Sequence, residues 1–238
     1  MRTGRRYELS LQGMAVQVEH KAVRYLRLRV RHDGQARVSA PLRVSRAEVR
    51  AFVNERAGWI QRQQQRFTEM PRAAGFALTD GERLPFGGER LTLCLSEGRP
   101  ACWREADMLQ LRVPATHDVA LRREPLLAWY RGQLADALLQ RMPQWSAHMG
   151  LALPEWHIRN MASRWGSCNP TRRRINIALR LMAQPPECLD YVIVHELAHL
   201  RVGGHNPAFW REVARAMPEW RIAHDHLRAG SGEPGLWR

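Results

Sequence analysis

The run His195-Glu196-Leu197-Ala198-His199 sets two imidazoles four residues apart, with a carboxylate directly after the first. On a helix that spacing projects both rings from one face and onto one ion. Glu196, adjacent to the first ring, is placed to touch a water on that ion rather than the ion itself. Gly203 and Gly204 then offer a left-handed stop, after which His205 can return as a third ligand. Three protein ligands leave one coordination position open, which marks a catalytic zinc site rather than a closed structural one. Zinc lowers the pKa of its water toward about 7, and Glu196 as general base would take the proton while that water attacks a carbonyl. These residues point to a zinc-dependent metallohydrolase, in the first instance a peptidase, with one Zn2+ per chain on His195, His199 and His205.

The elements around the motif suit that role. Pro186 fits a first helical turn, Glu187 and Asp190 lie near the positive end of the helix dipole, and Arg201 falls near its other end. Leu189, Val192, Ile193, Leu197 and Leu200 make this a buried helix, where two histidines and a glutamate are costly without a partner. Upstream, Val23–Pro41 alternates around an Asp33-Gly34 turn as a hairpin. Ser45 with Glu48 forms a capping box for a helix carrying Val49, Phe52, Val53, Trp59 and Ile60 toward Phe67. Strands are expected over 91–95, near 108–113, and over 157–164 and 174–181. A long amphipathic helix is expected over 124–142 with Leu126, Leu127, Trp129, Tyr130, Leu134, Leu138 and Leu139 inward. One further helix covers 208–217, and the tail from Gly230 reads as loose. The expected class is α+β: an N-terminal β-hairpin-plus-helix region over 1–100, followed by a catalytic domain over 101–238 with a small sheet and the HExxH helix.

Composition bounds the remaining choices. A chain of 238 residues with 45% hydrophobic and 25% charged residues can bury a core of its own. No apolar stretch approaches a membrane span, no secretory leader is seen at the start, and no membrane partner is expected. The four cysteines are scattered, which suits a reducing, cytoplasmic setting. The net charge of +14 is concentrated at the N-terminus, where residues 1–70 hold 15 basic and 6 acidic side chains. Lys21 is the single lysine, so part of that excess is a general preference for arginine. Arg27, Arg29 and Arg31 recur at alternate strand positions and would share one solvent face, where they could hold nucleic acid without sequence preference.

Larger stretches resemble a known family, the YgjP-like zinc metallopeptidases, relatives of the SprT-like and wider zincin peptidases. The match runs through Ser163-Arg164-Trp165-Gly166-Ser167-Cys168, the strand at Ile175–Leu181, Pro185-Pro186-Glu187, Asp190 to Leu200, and His205 with Phe209-Trp210. The hairpin with Asp33-Gly34 and the helix with Trp59-Ile60 are similar as well. The resemblance implies a zincin-like catalytic domain with an edge strand beside the active-site helix, along which a protein or peptide substrate lies. It also implies a substrate-cleft role for Arg164 and Ser167. From the residues themselves, Trp165 reads as core, Gly166 as a bulge and Cys168 as a buried thiol. His157 reads as structural, and His224 and His226 as surface residues.

Two alternatives belong to other classes. One is a metal-dependent endoribonuclease using the same three-His site, against which Glu196 argues. The other is a nucleic-acid-binding module with a vestigial zinc site, its function carried by the basic N-terminal region.

Overall fold

The computed structural model of the chain describes residues 5–11, 13–31, 34–69, 76–161, 163–230 and 236–237. It separates into two compact units, Met1–Ala74 and Gly75–Arg238. The division lies at 74 and 75 rather than 100 and 101, because strands on both sides of residue 100 belong to one sheet.

The first unit is a four-stranded sheet of β1 (Arg6–Leu11), β2 (Met14–Lys21), β3 (Arg27–Val30) and β4 (Ala36–Pro41), in the order β1-β2-β4-β3. β3 and β4 are the expected hairpin. Gly34 takes φ +80° in its turn, and Asp33 lies outside the described residues. β1 and β2 were not anticipated, although Met14, Val16, Val18 and His20 alternate inward along β2. Helices α1 (Arg46–Glu55) and α2 (Ala57–Glu69) add Val49, Val53, Ala57 and Ile60 to the core made by Leu9, Val16, Val18 and Val38. The capping box forms: Ser45 Oγ accepts from the Glu48 amide at 3.2 Å, and the Glu48 carboxylate accepts from the Ser45 amide at 2.8 Å. One continuous helix was expected here. It breaks at Arg56, whose amide closes back on the Val53 carbonyl and whose φ and ψ of −106° and 7° leave the helical region. Trp59, in the first turn of α2, is exposed.

The second unit carries two sheets and four helices among its described residues. β5 (Arg83–Phe86), β6 (Glu89–Glu97), β7 (Ala101–Glu105) and β8 (Met108–Val113) form one sheet, ordered β5-β6-β8-β7. Helix α3 (Ala120–His148) runs past both expected ends. Its buried stripe is Leu126, Tyr130, Leu134, Leu138 and Met142, each four residues after the last. Leu139 is one step off that stripe and 63% exposed, so its expected burial is corrected. β9 (Glu155–Arg159), β10 (Gly166–Asn169) and β11 (Arg174–Ala178) form a sheet ordered β10-β11-β9, which leaves β10 at an edge. The strand expected over 157–164 stops at Arg159. That expected over 174–181 stops at Ala178, where a 3-10 turn, Leu179–Ala183, buries Leu179 and Leu181. Then come α4 (Pro186–Ala198), α5 (Pro207–Ala216) and α6 (Trp220–Arg228), the last unanticipated. The tail is not loose at its described end. Leu236 and Trp237 are buried, and Trp237 packs edge-on against Tyr130 at 4.9 Å between ring centroids. The class is α+β with small sheets, as expected, and no described helix is long and apolar enough to cross a membrane.

Candidate active site

α4 is buried on nearly every side, from Cys188 and Leu189 to Leu197 and Ala198. α3 fixes it in place. Asp190 accepts from Arg141 Nη1 at 2.5 Å and from Trp145 Nε1 at 2.8 Å, both partly buried. His195 sits in the last turn of α4, Glu196 follows it, and His199 takes the C-cap position. Gly204, with φ +71°, turns the chain back. Asn206 then caps α5 by accepting from the Phe209 amide at 3.1 Å, with Pro207 in the first turn. This cap and a hydrogen bond from Trp210 Nε1 to the His205 carbonyl, 3.1 Å, hold His205 over α4.

The three rings gather around buried Phe209, whose centroid lies 4.9, 4.4 and 4.9 Å from those of His195, His199 and His205. His195 Nε2 and His205 Nε2 are 3.0 Å apart, and one nitrogen from each of the three rings lies within 4.8 Å of the others. His195 Nδ1 faces the Tyr191 hydroxyl at 3.2 Å, and His199 Nδ1 faces the Val202 carbonyl at 3.3 Å. The outer nitrogens of these two rings thus have partners, which leaves their Nε2 atoms free to face the ion. Burial drives His195 down to about 3, with further lowering by His199, His205 and His224. Burial lowers His199 as well. Neutral imidazoles with facing nitrogens are a donor set that fits a divalent cation, which supplies the positive charge two lone pairs at 3.0 Å require.

Glu196 is 5% exposed yet lines a cavity of about 750 Å³ together with the three histidines. Burial pushes its carboxyl up to about 8, and the Arg164 guanidinium pulls the other way. A cation on the neighbouring rings would add to the pull toward the carboxylate. Gly166 of β10 runs against this side chain: a Cβ at Gly166 would lie 2.5 Å from Glu196 Oε1 and 2.8 Å from Cγ. The glycine is therefore a close approach within a strand, not the expected bulge. Trp165 beside it is covered by the Arg180 guanidinium at 3.7 Å from the ring centroid.

Arg164 and Ser167 line the same cavity, and Ser167 Oγ accepts from Asn176 Nδ2 of β11 at 3.0 Å. Cys168 lines it too but stands outside the three-histidine cluster, and burial pushes its thiol up to about 11. His157 meets Glu155 at 2.9 Å, a structural contact. Two residues here escaped the sequence reading. Tyr191 lies one helical turn before His195, a spacing that could have revealed it. His224, read as a surface residue, lies on α6 within the cavity lining and edge-on to Tyr191 at 5.9 Å. Without α6 in view, nothing marked it. Arg27, Arg29 and Arg31 lie on β3 and its end in the first unit, all exposed.

Convergent imidazoles and a buried carboxylate on one open cavity define a class, the metal-dependent hydrolases. The chain belongs to the YgjP-like family, whose metallopeptidase domain it matches over residues 24–230, and it is a metallopeptidase. Among solved structures it is similar to the metallopeptidase zymogen of Pyrococcus abyssi abylysin, with 21% identity and a TM-score of 0.37, over 40% of this chain and 94% of that one. No curated protein matches.

Proposed function

We propose that the chain hydrolyses peptide bonds with one zinc ion held by His195, His199 and His205, and with Glu196 as general base. The observation that carries this reading is the convergence of one ring nitrogen from each of three imidazoles beside a carboxylate that β10 confines to the same cavity. Bound zinc supplies Lewis acidity, which acidifies water and polarises a carbonyl. The chain's own residues do the rest. Glu196 takes the proton of the attacking water and delivers it to the departing amine. Tyr191 and the Val202 carbonyl hold the two α4 rings in the tautomer that leaves Nε2 free. Substrate lies extended along the free edge of β10, where Gly166, Ser167 and Cys168 line the cavity and the strand has backbone groups to pair. Arg164, on that same wall, is the side chain set to meet the carbonyl oxygen as it gains charge. The α4–β10 arrangement is then that of a zincin-like domain. Four free cysteines suit a cytoplasmic, reducing setting.

The test is zinc-loaded protein incubated with unfolded proteins and, separately, with RNA. Glu196→Gln should retain zinc and fold but lose proteolysis about 100-fold or more. Proteolysis unchanged in that variant would remove Glu196 from the mechanism. RNA cleavage that persists in it would replace the peptidase by the endoribonuclease.

A further inference from the structure

The sheet of the first unit has one face packed by α1 and α2 and another that is open. β3 puts Arg27 and Arg29 on the open face, with Leu28 and Val30 turned from it. Pairing is in register, so Arg29 lies directly opposite Arg37 of β4, and Arg27 opposite Ser39. Arg31 continues the row beyond β3, its amide bonded to the Gln35 carbonyl at 2.9 Å. Like charges directly opposed across a strand pair destabilise a sheet unless something neutralises them. The two halves of the face differ in this respect. On the β1–β2 half, Glu19 holds both Arg6, at 2.6 Å, and Lys21, at 3.3 Å. On the β3–β4 half no ion pair engages Arg27, Arg29, Arg31 or Arg37 among the described residues, and the polar contact of Arg37 is Gln35 at 3.4 Å. A concavity of about 570 Å³ spans both halves of the face, with Arg29, Arg31 and Arg37 on one side and Arg6, Glu8 and Glu19 on the other. Two residues before β3, Tyr25 is 60% exposed, with the Arg24 guanidinium 5.2 Å from its ring centroid.

We infer that this face binds single-stranded nucleic acid through its phosphates. Alternate residues on an antiparallel strand are about 6.8 Å apart. A row of guanidinium groups at that repeat follows successive phosphates of an extended strand, and each can grip its phosphate with two parallel hydrogen bonds. An exposed tyrosine at the end of the row is a stacking platform, usable by unpaired bases and not by bases inside a duplex. Recognition is of backbone charge and of a ring face, so it is independent of sequence and shared by DNA and RNA. The inference does not rest on the peptidase reading, because no residue in it belongs to the catalytic cavity.

The experiment titrates the full chain with labelled oligothymidylate, oligouridylate and a duplex of equal length, following anisotropy from about 50 mM salt upward. Both single strands should bind, and log affinity should fall linearly with log salt. Each single-strand phosphate contact contributes about 0.7 to that slope, so Arg27→Gln/Arg29→Gln/Arg31→Gln should make it shallower by about 2. The matching triple change to Lys should keep both the slope and the parent's thermal melt, while the Gln triple, relieved of the charge opposite Arg37, should melt no lower than the parent. Tyr25→Ala should weaken single-strand binding with the slope unaltered. Binding undetectable at about 50 mM salt, or a slope that the Gln triple does not change, would overturn the inference. Duplex bound as tightly as single strand, or polyglutamate competing equally at matched charge, would also overturn it, in favour of a duplex or an acidic protein.

Discussion

The hydroxyl of Tyr191 and the ring of His195 meet 3.2 Å apart, one turn of α4 separating their backbones. If Nε2 of His195 takes the metal, Nδ1 must carry the proton and donate it to the tyrosine oxygen. Burial raises Tyr191, followed by Glu196 and Asp225, so the phenol stays protonated and its lone pairs remain available. The ring has no freedom to leave, being stacked against Trp220 at 6.3 Å and edge-on to His224. Such an outer hydrogen bond fixes both tautomer and orientation, and losing one typically costs 10–100-fold in metal affinity. Tyr191→Phe should therefore bind zinc about tenfold more weakly, measured by competition with a chelator, while far-UV circular dichroism stays that of the parent. Parental affinity in this variant would reduce Tyr191 to a packing residue. The three imidazoles and Glu196 were legible in the sequence because i, i+4 geometry is local and the glycines announce a turn. Tyr191 obeys the same geometry, but a lone tyrosine on a helix has many uses and spacing does not choose among them.

Among the elements, α4 and β10 are the pair that matter most, and Gly166 is where they touch. A side chain there would collide with Glu196, and Glu196 cannot yield easily, because it is buried on a helix that Arg141 and Trp145 tie to α3. Gly166→Ala should leave zinc content intact, since none of the three histidines is displaced. It should lower hydrolysis about 100-fold, the usual cost of moving a catalytic group by about 1 Å. Metal analysis paired with turnover separates the two effects, and full activity in this variant would mean that the Glu196 position is not set by β10. The family resemblance implied an edge strand beside α4, but the residue pattern did not mark where it lies. Four residues with no alternation, Gly-Ser-Cys-Asn, are a strand only because β11 supplies their hydrogen bonds. β2 is the opposite case: Met14, Val16, Val18 and His20 alternate plainly, and its period-2 pattern was available in the residues. The break at Arg56 was not available, because apolar spacing continues across it from Val53 to Ile60.

At the scale of the molecule, each unit has its own core, and the larger one closes with the far end of the chain. Trp237 is 4% exposed against Tyr130 of α3, whose hydroxyl donates to the Pro85 carbonyl at 2.7 Å. The backbone around it is tied down as well. Leu236 O accepts from Arg123 Nη2 at 3.1 Å, and Trp237 O accepts from Asn160 Nδ2. Glycine and proline just upstream made this tail read as loose, for local composition carries no record of the distant Tyr130 ring and the Arg123 and Asn160 donors that receive it. Removing a buried tryptophan side chain typically costs 3–5 kcal/mol, through lost burial and the cavity left behind. Among the described residues Trp237 Nε1 has no hydrogen-bond partner, so the substitution also removes a buried unsatisfied donor and the cost falls toward the low end. Trp237→Ala should accordingly destabilise the larger unit by about 3 kcal/mol, seen as a lower denaturant midpoint with unchanged slope. Deleting everything after Gly230 should do at least as much, since the two carbonyl contacts go with the ring. A change below about 0.5 kcal/mol, the range of ordinary surface substitutions, would show that the tail rests on the core without contributing to it.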